Sequence, residues 1–285
     1  MKLFLSLLAL MVPVCCPAVE SPADSRYDHR HFEPLAGTGS KVDGNNMHAV
    51  GSDLPGANRD CPEATCEKRR EIEKAHETYI RGFLWTMSNS PRVPEAIRTR
   101  TATYGLPKDE FTDNGGWPWM FYIREARRMA GDYVMTQHNC EGKRSAPDPV
   151  APGSFGMDSH VVQQFVTERG FALSDGVIWR VPPKPYGISY RSIIPRKGEC
   201  ENLFSPICFS ASHVAHGSMR MEPVFMALSQ RAAIAAGMAI QGKTTVQEVD
   251  YAALREKLEA AKQVVRPEAF KASPKAKQKP EAPKP

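Results

Sequence analysis

Between Ile207 and Arg220 the chain reads ICFSASHVAHGSMR, and this short run concentrates groups capable of chemistry. His213 and His216 are the side chains here whose protons move near neutral pH. They stand in a Ser/His/Gly turn between a short apolar strand and a long helix built from small residues. Such a turn faces a helix N-terminus, so it presents positive partial charge to an anionic or electron-accepting group. On residue type alone, both histidines read equally well as turn residues bonding local backbone.

Other candidates are more diffuse. Arg124, Arg127 and Arg128 sit beside Glu125; they form either a solvated charged face or a site where one arginine turns inward to hold a carboxylate. Asp43, Asn45, Asn46 and Asp53 supply oxygen ligands but fit no calcium-loop spacing, and there is no CxxC pair. No metal site is therefore expected. Gly37-Thr38-Gly39-Ser40-Lys41 has no strand before it and no third glycine, so it is not a dinucleotide fingerprint. A hydrolase or lyase draws little support, because no G-x-S-x-G elbow exists and neither Ser154 nor Ser159 has a base at motif spacing.

The elements that must position these groups can be read from periodicity. Ile72, Ala75, Tyr79, Phe83 and Met87 recur at helical spacing after Pro62 and Glu63. A loop with Pro91, Pro94 and Pro107 follows. The turn cluster Asp113 to Pro118 opens onto a helix expected from Met120 to Met129. Asp158 or Ser159 caps a helix expected from His160 to Glu168. Short strands are expected at 170–185, a strand from Tyr186 to Pro195, and a buried strand within Asn202 to Ser210. A helix is expected from about Met219 to Gln241, then one capped by Asp250 with Leu254, Leu258 and Ala261 facing inward.

Residues 1–18 combine Lys2, an apolar run and small residues at a cleavage site, which reads as a secretory signal peptide. No other stretch reads as a transmembrane span, so an exported chain is expected. Arg266, Lys271, Lys275, Lys277, Lys279 and Lys284, against Glu268 and Glu281, give residues 266–285 a net +4 of the formal +5. The basic balance therefore belongs to a Pro/Lys-rich tail expected to be disordered, and it points to no nucleic-acid partner. After the leader, Cys61, Cys66, Cys140, Cys200 and Cys208 remain; Cys61/Cys66 and Cys200/Cys208 are near enough in sequence for local disulfides.

Several ordered blocks carry a resemblance. KVDGNN (41–46), SDLPGAN (52–58), KDEFTDNGGWP (108–118), REARRM (124–129), GDYVM (131–135), MDSH (157–160) and the segment from Pro185 to Leu258 resemble FAD-dependent oxidoreductases. In that family the flavin domain is interleaved with a larger substrate domain, and some members are labelled xanthan lyase-like. The resemblance covers roughly Gly37 to Leu258.

It implies a mixed α/β fold: a substrate-type domain over 19–184 with helices and a small sheet, then over 185–265 the C-terminal strand and helices of an incomplete Rossmann-like FAD domain. It implies FAD as cofactor, with Ser212, Gly217, Ser218, Met219 and Arg220 along the pyrimidine edge of the ring. His213 would be the acid/base and Arg220 added charge. Asp113, Asn114, Arg124 and His160 would belong to the substrate-facing half. Tyr190 and Arg191 either face the site or tie the preceding strand to the helix.

Two departures stand out. The family's long helix usually carries Gly-Gln-small-Ala where this chain has Ser229-Gln230-Arg231-Ala232, so Arg231 is expected to bring a bulky charge to the domain contact. The G-x-G-x-x-G turn that holds the FAD pyrophosphate occurs nowhere in the sequence. A second chain carrying it, or a start codon further upstream, is expected to supply it. The function implied is hydride transfer from a small, carbohydrate-like substrate to flavin. The alternative is an exported binding module, or pseudoenzyme, that no longer binds FAD.

Overall fold

The computed structural model describes residues 51–120 and 122–267, with short strands at 33–34 and 42–43. The leader, the 37–41 glycine stretch, Asn45, Asn46 and the tail from 268 lie outside the described residues. In chain order the elements begin with β1 (Glu33–Pro34), β2 (Val42–Asp43), α1 (Cys66–Asn89), α2 (Glu95–Thr101) and α3 (Gln137–Cys140). Next come β3 (Pro149–Gly153), β4 (Met157–Ser159), β5 (Gln163–Val166), β6 (Ala172–Asp175), β7 (Ile178–Arg180) and β8 (Tyr186–Ser189). The helices α4 (His213–Met219), α5 (Glu222–Gly242) and α6 (Tyr251–Ala260) close the chain. Among the described residues the strands pair antiparallel as β1–β2, β3–β8, β4–β7 and β5–β6. The fold is mixed α/β.

The chain divides into two compact units. Unit 1 holds the residues up to Ile123 together with His160–Val177. Its main element, α1, begins where Thr65 accepts a hydrogen bond from the Lys68 amide at 3.3 Å. Ile72 and Met87 are buried on one face, while the Lys74–Glu77 and Arg81–Glu77 pairs lie on the other. The region expected as a Pro-rich loop contains α2, which starts directly after Pro94 and packs on α1.

The helix expected at His160–Glu168 is instead the hairpin β5–β6. Phe165 pairs with Leu173 and Val166 with Ala172, so β-branched and aromatic residues favour the pleated ladder over the helix. Asp158 and Ser159, which look like caps, belong to β4.

Unit 2 holds Arg124–Ser159 and the chain from Ile178 onward. Its core gathers Val150, Met157, Ile188, Ile193, Phe209, Met219, Leu228, Leu254 and Leu258. Helix α4 packs on β4, and α5 packs on β3 and α6. Asp250 caps α6 by accepting from the Ala252 amide, and Leu254 and Leu258 face inward, whereas Ala261 is exposed.

Four expectations are corrected here. Among the described residues of 120–129 no helix forms; the stretch has no regular secondary structure, and the Met129 amide donates to the Cys208 carbonyl at 2.8 Å. Gly115 and Gly116 sit at φ +62° and +77°, and Pro118 follows, so the chain leaves the turn without starting a helix. The segment 202–210 is not a strand, although Phe209 is fully buried. It continues into a parallel bridge between Met135 and Ala211, held by bonds between Met135 and Ser210 and between Ser212 and Met135. The strand from Tyr186 ends at Ser189, and Tyr190–Ser192 form a 3-10 turn. Finally, the helix expected from about Met219 to Gln241 is present as α5, Glu222–Gly242, but the stretch before it, expected as a turn, forms the separate helix α4. Pro223 has no N–H to offer residue 219, so the ladder stops and restarts at Glu222.

Helix α5 has 21 residues and is long and apolar enough to cross a bilayer by length and composition alone. This corrects the expectation that no stretch past the leader meets that test. Arg231 is also placed differently from expectation. It is buried, and its guanidinium donates to the carbonyls of Val150, Ala227 and Val264 within unit 2. All five described cysteines are free thiols, so neither local disulfide forms.

Candidate functional site

Ser212 sits in extended backbone and accepts a hydrogen bond from the Ala215 amide at 3.3 Å, so α4 starts at His213. This places the His213 ring at the start of the helix, with 42% of its side chain exposed. His213 Nδ1 lies 2.6 Å from Glu125 Oε2 and Nε2 lies 3.2 Å from Ser159 Oγ. A carboxylate can only accept, so Nδ1 carries the proton shared with Glu125. A ring protonated at Nδ1 alone offers Nε2 as an acceptor to the Ser159 hydroxyl.

Glu125 is tied down by two arginines. Arg128 Nη1 donates to Oε2 at 3.2 Å, while its Nε donates to the Ala211 carbonyl at 3.1 Å. Arg128 is thus the arginine that turns inward to hold a carboxylate. Arg220 Nε stands 3.6 Å from Glu125 Oε1, within ion-pair range but without a hydrogen bond. Arg220 Nη2 donates to the Asp158 backbone oxygen at 3.3 Å and to its Oδ2 at 3.4 Å. Two cations and two carboxylates, Arg220 buried and the other three partly buried, thus converge around one half-exposed imidazole. Asp158 Oδ1 and Arg220 Nε are buried and carry no hydrogen bond within the cluster.

The remaining residues of the turn are closed off by packing. A Cβ on Gly217 would meet the Asp158 carbonyl oxygen at 2.5 Å, so the glycine serves the contact between α4 and β4. Ser218 donates to the Phe155 carbonyl and shares a 2.6 Å hydrogen bond with the buried Tyr186 hydroxyl. Burial raises the Tyr186 hydroxyl well above its usual range and pushes the neighbouring Cys140 thiol up to about 11. Met219 is fully buried in the core. Gly217 to Arg220 therefore form the C-terminal end of α4 rather than the N-terminus of the long helix.

His216 is buried too. Its Nε2 donates to the Ile207 carbonyl at 3.3 Å, its ring lies 5.1 Å from Phe209, and burial holds it below the usual histidine range. Its Nδ1 has no partner.

The other expected residues fall into two groups. In unit 1, Asp113 accepts from Trp119 Nε1 at 3.2 Å and Asn114 donates to the Trp117 carbonyl at 3.0 Å, so both organise their own turn. His160 Nδ1 pairs with Asp53 Oδ2 at 2.7 Å. In unit 2, Arg124 is half-buried at the start of the irregular segment. Tyr190 donates to the Val246 carbonyl at 2.7 Å, and Arg191 binds Asp148 through its amide and Nε, both at 3.1 Å. The polar ends of Tyr190 and Arg191 are thus engaged in tying the 3-10 turn to its neighbours.

Residue spacing missed Glu125, Asp158 and Ser159. Ser159 is 54 positions from His213 and Glu125 is 88, so only the fold unites them. The one signal was the arginine cluster around Glu125. Among the described residues no group of three or more His, Cys, Asp or Glu is placed to hold a metal ion.

Compared with known proteins, residues 12–258 match the family model described as FAD dependent oxidoreductase. No curated protein matches the chain, and no solved structure does.

Proposed function

We propose, from the premise that this chain belongs to the FAD-dependent oxidoreductase family, that unit 2 supplies the redox-facing part of an enzyme oxidising a hydroxyl-bearing carbon on a small, carbohydrate-like substrate. The observation that carries this reading is the half-exposed His213, held in one tautomer by Glu125 beside the buried charge of Arg220.

The residues present suit the ring end of the cofactor. When bound, FAD would accept the hydride, and negative charge would collect on its pyrimidine edge. Arg220, ion-paired with Glu125 and Asp158, leaves its Nε without a hydrogen bond, and Asp158 Oδ1 is a second unsatisfied atom of the cluster. Ser212 and His213, at the open end of α4, are the neighbours left to contact the ring, because Gly217, Ser218 and Met219 are enclosed. The nucleotide end needs a strand, a G-x-G-x-x-G turn and a helix, which the sequence does not contain. A second polypeptide carrying that segment would complete the grip.

His213 Nε2 takes the proton from the substrate hydroxyl, and Glu125 holds the ring and balances the imidazolium that forms. The Ser159 hydroxyl, on the same nitrogen, holds the lone pair in direction until substrate arrives. Chain export, read from residues 1–18, places this chemistry outside the cytoplasm and is part of the proposal.

The test is anaerobic bleaching of the flavin colour in the assembled complex across a panel of sugar alcohols and aldoses. Changing His213→Asn should slow bleaching by about 10²- to 10⁴-fold while leaving flavin bound. Bleaching at an unchanged rate would remove His213 from the reaction.

A further inference from the structure

Three groups that no motif links stand in the order that activates a serine. The Ser159 hydroxyl faces His213 Nε2 at 3.2 Å, and His213 Nδ1 faces Glu125 at 2.6 Å. Hydroxyl to base, and base to an orienting carboxylate, is the geometry by which an otherwise weak nucleophile becomes reactive. The three come from β4, from the start of α4 and from the irregular segment after Arg124. This explains why no sequence spacing reveals the arrangement.

We propose that unit 2 carries an acyl-transfer activity on small neutral esters, with Ser159 as nucleophile, His213 as its base and Glu125 as the positioning residue. Ser159 Oγ attacks the ester carbonyl as its proton passes to His213 Nε2. The bond to the leaving alcohol breaks, and that alcohol takes the proton from Nε2. Water, deprotonated by the same nitrogen, then releases the acid and restores the hydroxyl. No external oxidant or cofactor enters the balance.

The site also sets the substrate class. Arg128 and Arg220 are matched by Glu125 and Asp158, so no net charge selects an ionic acyl group. Ser159 is only 6% exposed, so the acyl group has to be small. The His213 ring is open enough for the leaving alcohol and water to approach.

This activity does not depend on flavin, so it is tested on the full chain with no FAD added. The probes are p-nitrophenyl acetate and a fluorophosphonate, with mass mapping of the modified peptide. A burst of nitrophenolate and a label on Ser159 are expected. Ser159→Ala should abolish both, and His213→Asn should slow labelling by about 10²- to 10⁴-fold. Glu125→Gln should slow it at least tenfold (an expectation of order ~10 from loss of the orienting carboxylate), with partial rescue by Glu125→Asp.

If Ser159→Ala disturbs the circular dichroism, Ser159→Cys keeps a nucleophile at that position. Its alkylation by iodoacetamide should then slow at least tenfold (~10, on the same base-removal argument) when His213→Asn is added. No label on a folded chain, a label at another serine, or alkylation indifferent to His213 would overturn the proposal.

Discussion

Glu125 meets three partners at once, and each constrains it differently. Arg128 fixes one oxygen from the side, Arg220 stands against the other, and His213 Nδ1 closes the set at 2.6 Å. The imidazole is thereby held in one tautomer, which is what a base needs if its outer nitrogen is to be a lone pair. Replacing Glu125 with Gln keeps the shape but lets the ring take either tautomer. In the flavin complex it should slow substrate-driven bleaching by about 10²-fold or more, with flavin retention unchanged.

At Gly217 the constraint is steric instead. Because the atom met by an added Cβ is a backbone oxygen at 2.5 Å, Gly217→Ala cannot be relieved by a rotamer change. It should cost about 1–3 kcal/mol by thermal unfolding, as overpacking does. An unchanged melting temperature would mean that the contact between α4 and β4 is looser than described.

At the scale of elements, much was legible because the local signals were strong. The face of α1 was written in Ile72, Tyr79, Phe83 and Met87, although Ala75 of the same pattern is exposed and His76 is buried in its place, and Asp250 announced α6. The mixed α/β class was legible through the resemblance of the ordered blocks rather than through periodicity. What misled was local chemistry outvoted by longer-range pairing. Asp158 and Ser159 have the composition of caps, yet β4 pairs them with β7, and Val161 to Val166 prefer a hairpin. Arg124 to Met129 have helical propensity, but their side chains and amides are engaged by Ala211, Cys208 and His213. In the site itself His213 was visible from its residue type, whereas Ser159 and Glu125 became visible only through tertiary contact.

Arg231 shows the same effect on α5, where an arginine expected to bring a bulky charge to a domain contact links β3 to the segment at Val264. Arg231→Met should leave those carbonyls without a donor and cost about 1–3 kcal/mol. Trypsin cleavage at Lys262 should quicken at the same time; an unchanged cleavage rate would show that Arg231 does not hold that segment.

Across the whole molecule, buried ionisable groups set a window of stability. Burial holds His216 below its ordinary 6.5, so below about pH 6.5 the unfolded chain binds a proton that the folded chain resists. Stability therefore falls as pH falls through that range. Cys140, pushed up to about 11 from 9.0, keeps a proton that the unfolded chain loses above about pH 9. The buried Tyr186 and Tyr190 hydroxyls act in the same direction at higher pH, so stability falls again as pH rises. Below about pH 4.5, Glu141, lowered to about 2 by Lys143 and Gln137, adds to the loss on the acid side. The urea midpoint at constant ionic strength should therefore be flat between about pH 6.5 and 9 and drop on both sides. A midpoint that peaks at pH 5 would contradict this balance.

The chain belongs to the FAD-dependent oxidoreductase family, and flavin retention tests most directly the proposal that it works as one part of a flavin enzyme. The full chain is mixed with FAD, alone and beside a polypeptide carrying a strand–G-x-G-x-x-G–helix segment, and passed through gel filtration. The expected result is a yellow complex that contains this chain, with a flavin spectrum shifted from that of the second polypeptide alone. A chain that elutes colourless in both mixtures, and leaves the partner's flavin spectrum untouched, would contradict it and leave a binding module without the cofactor.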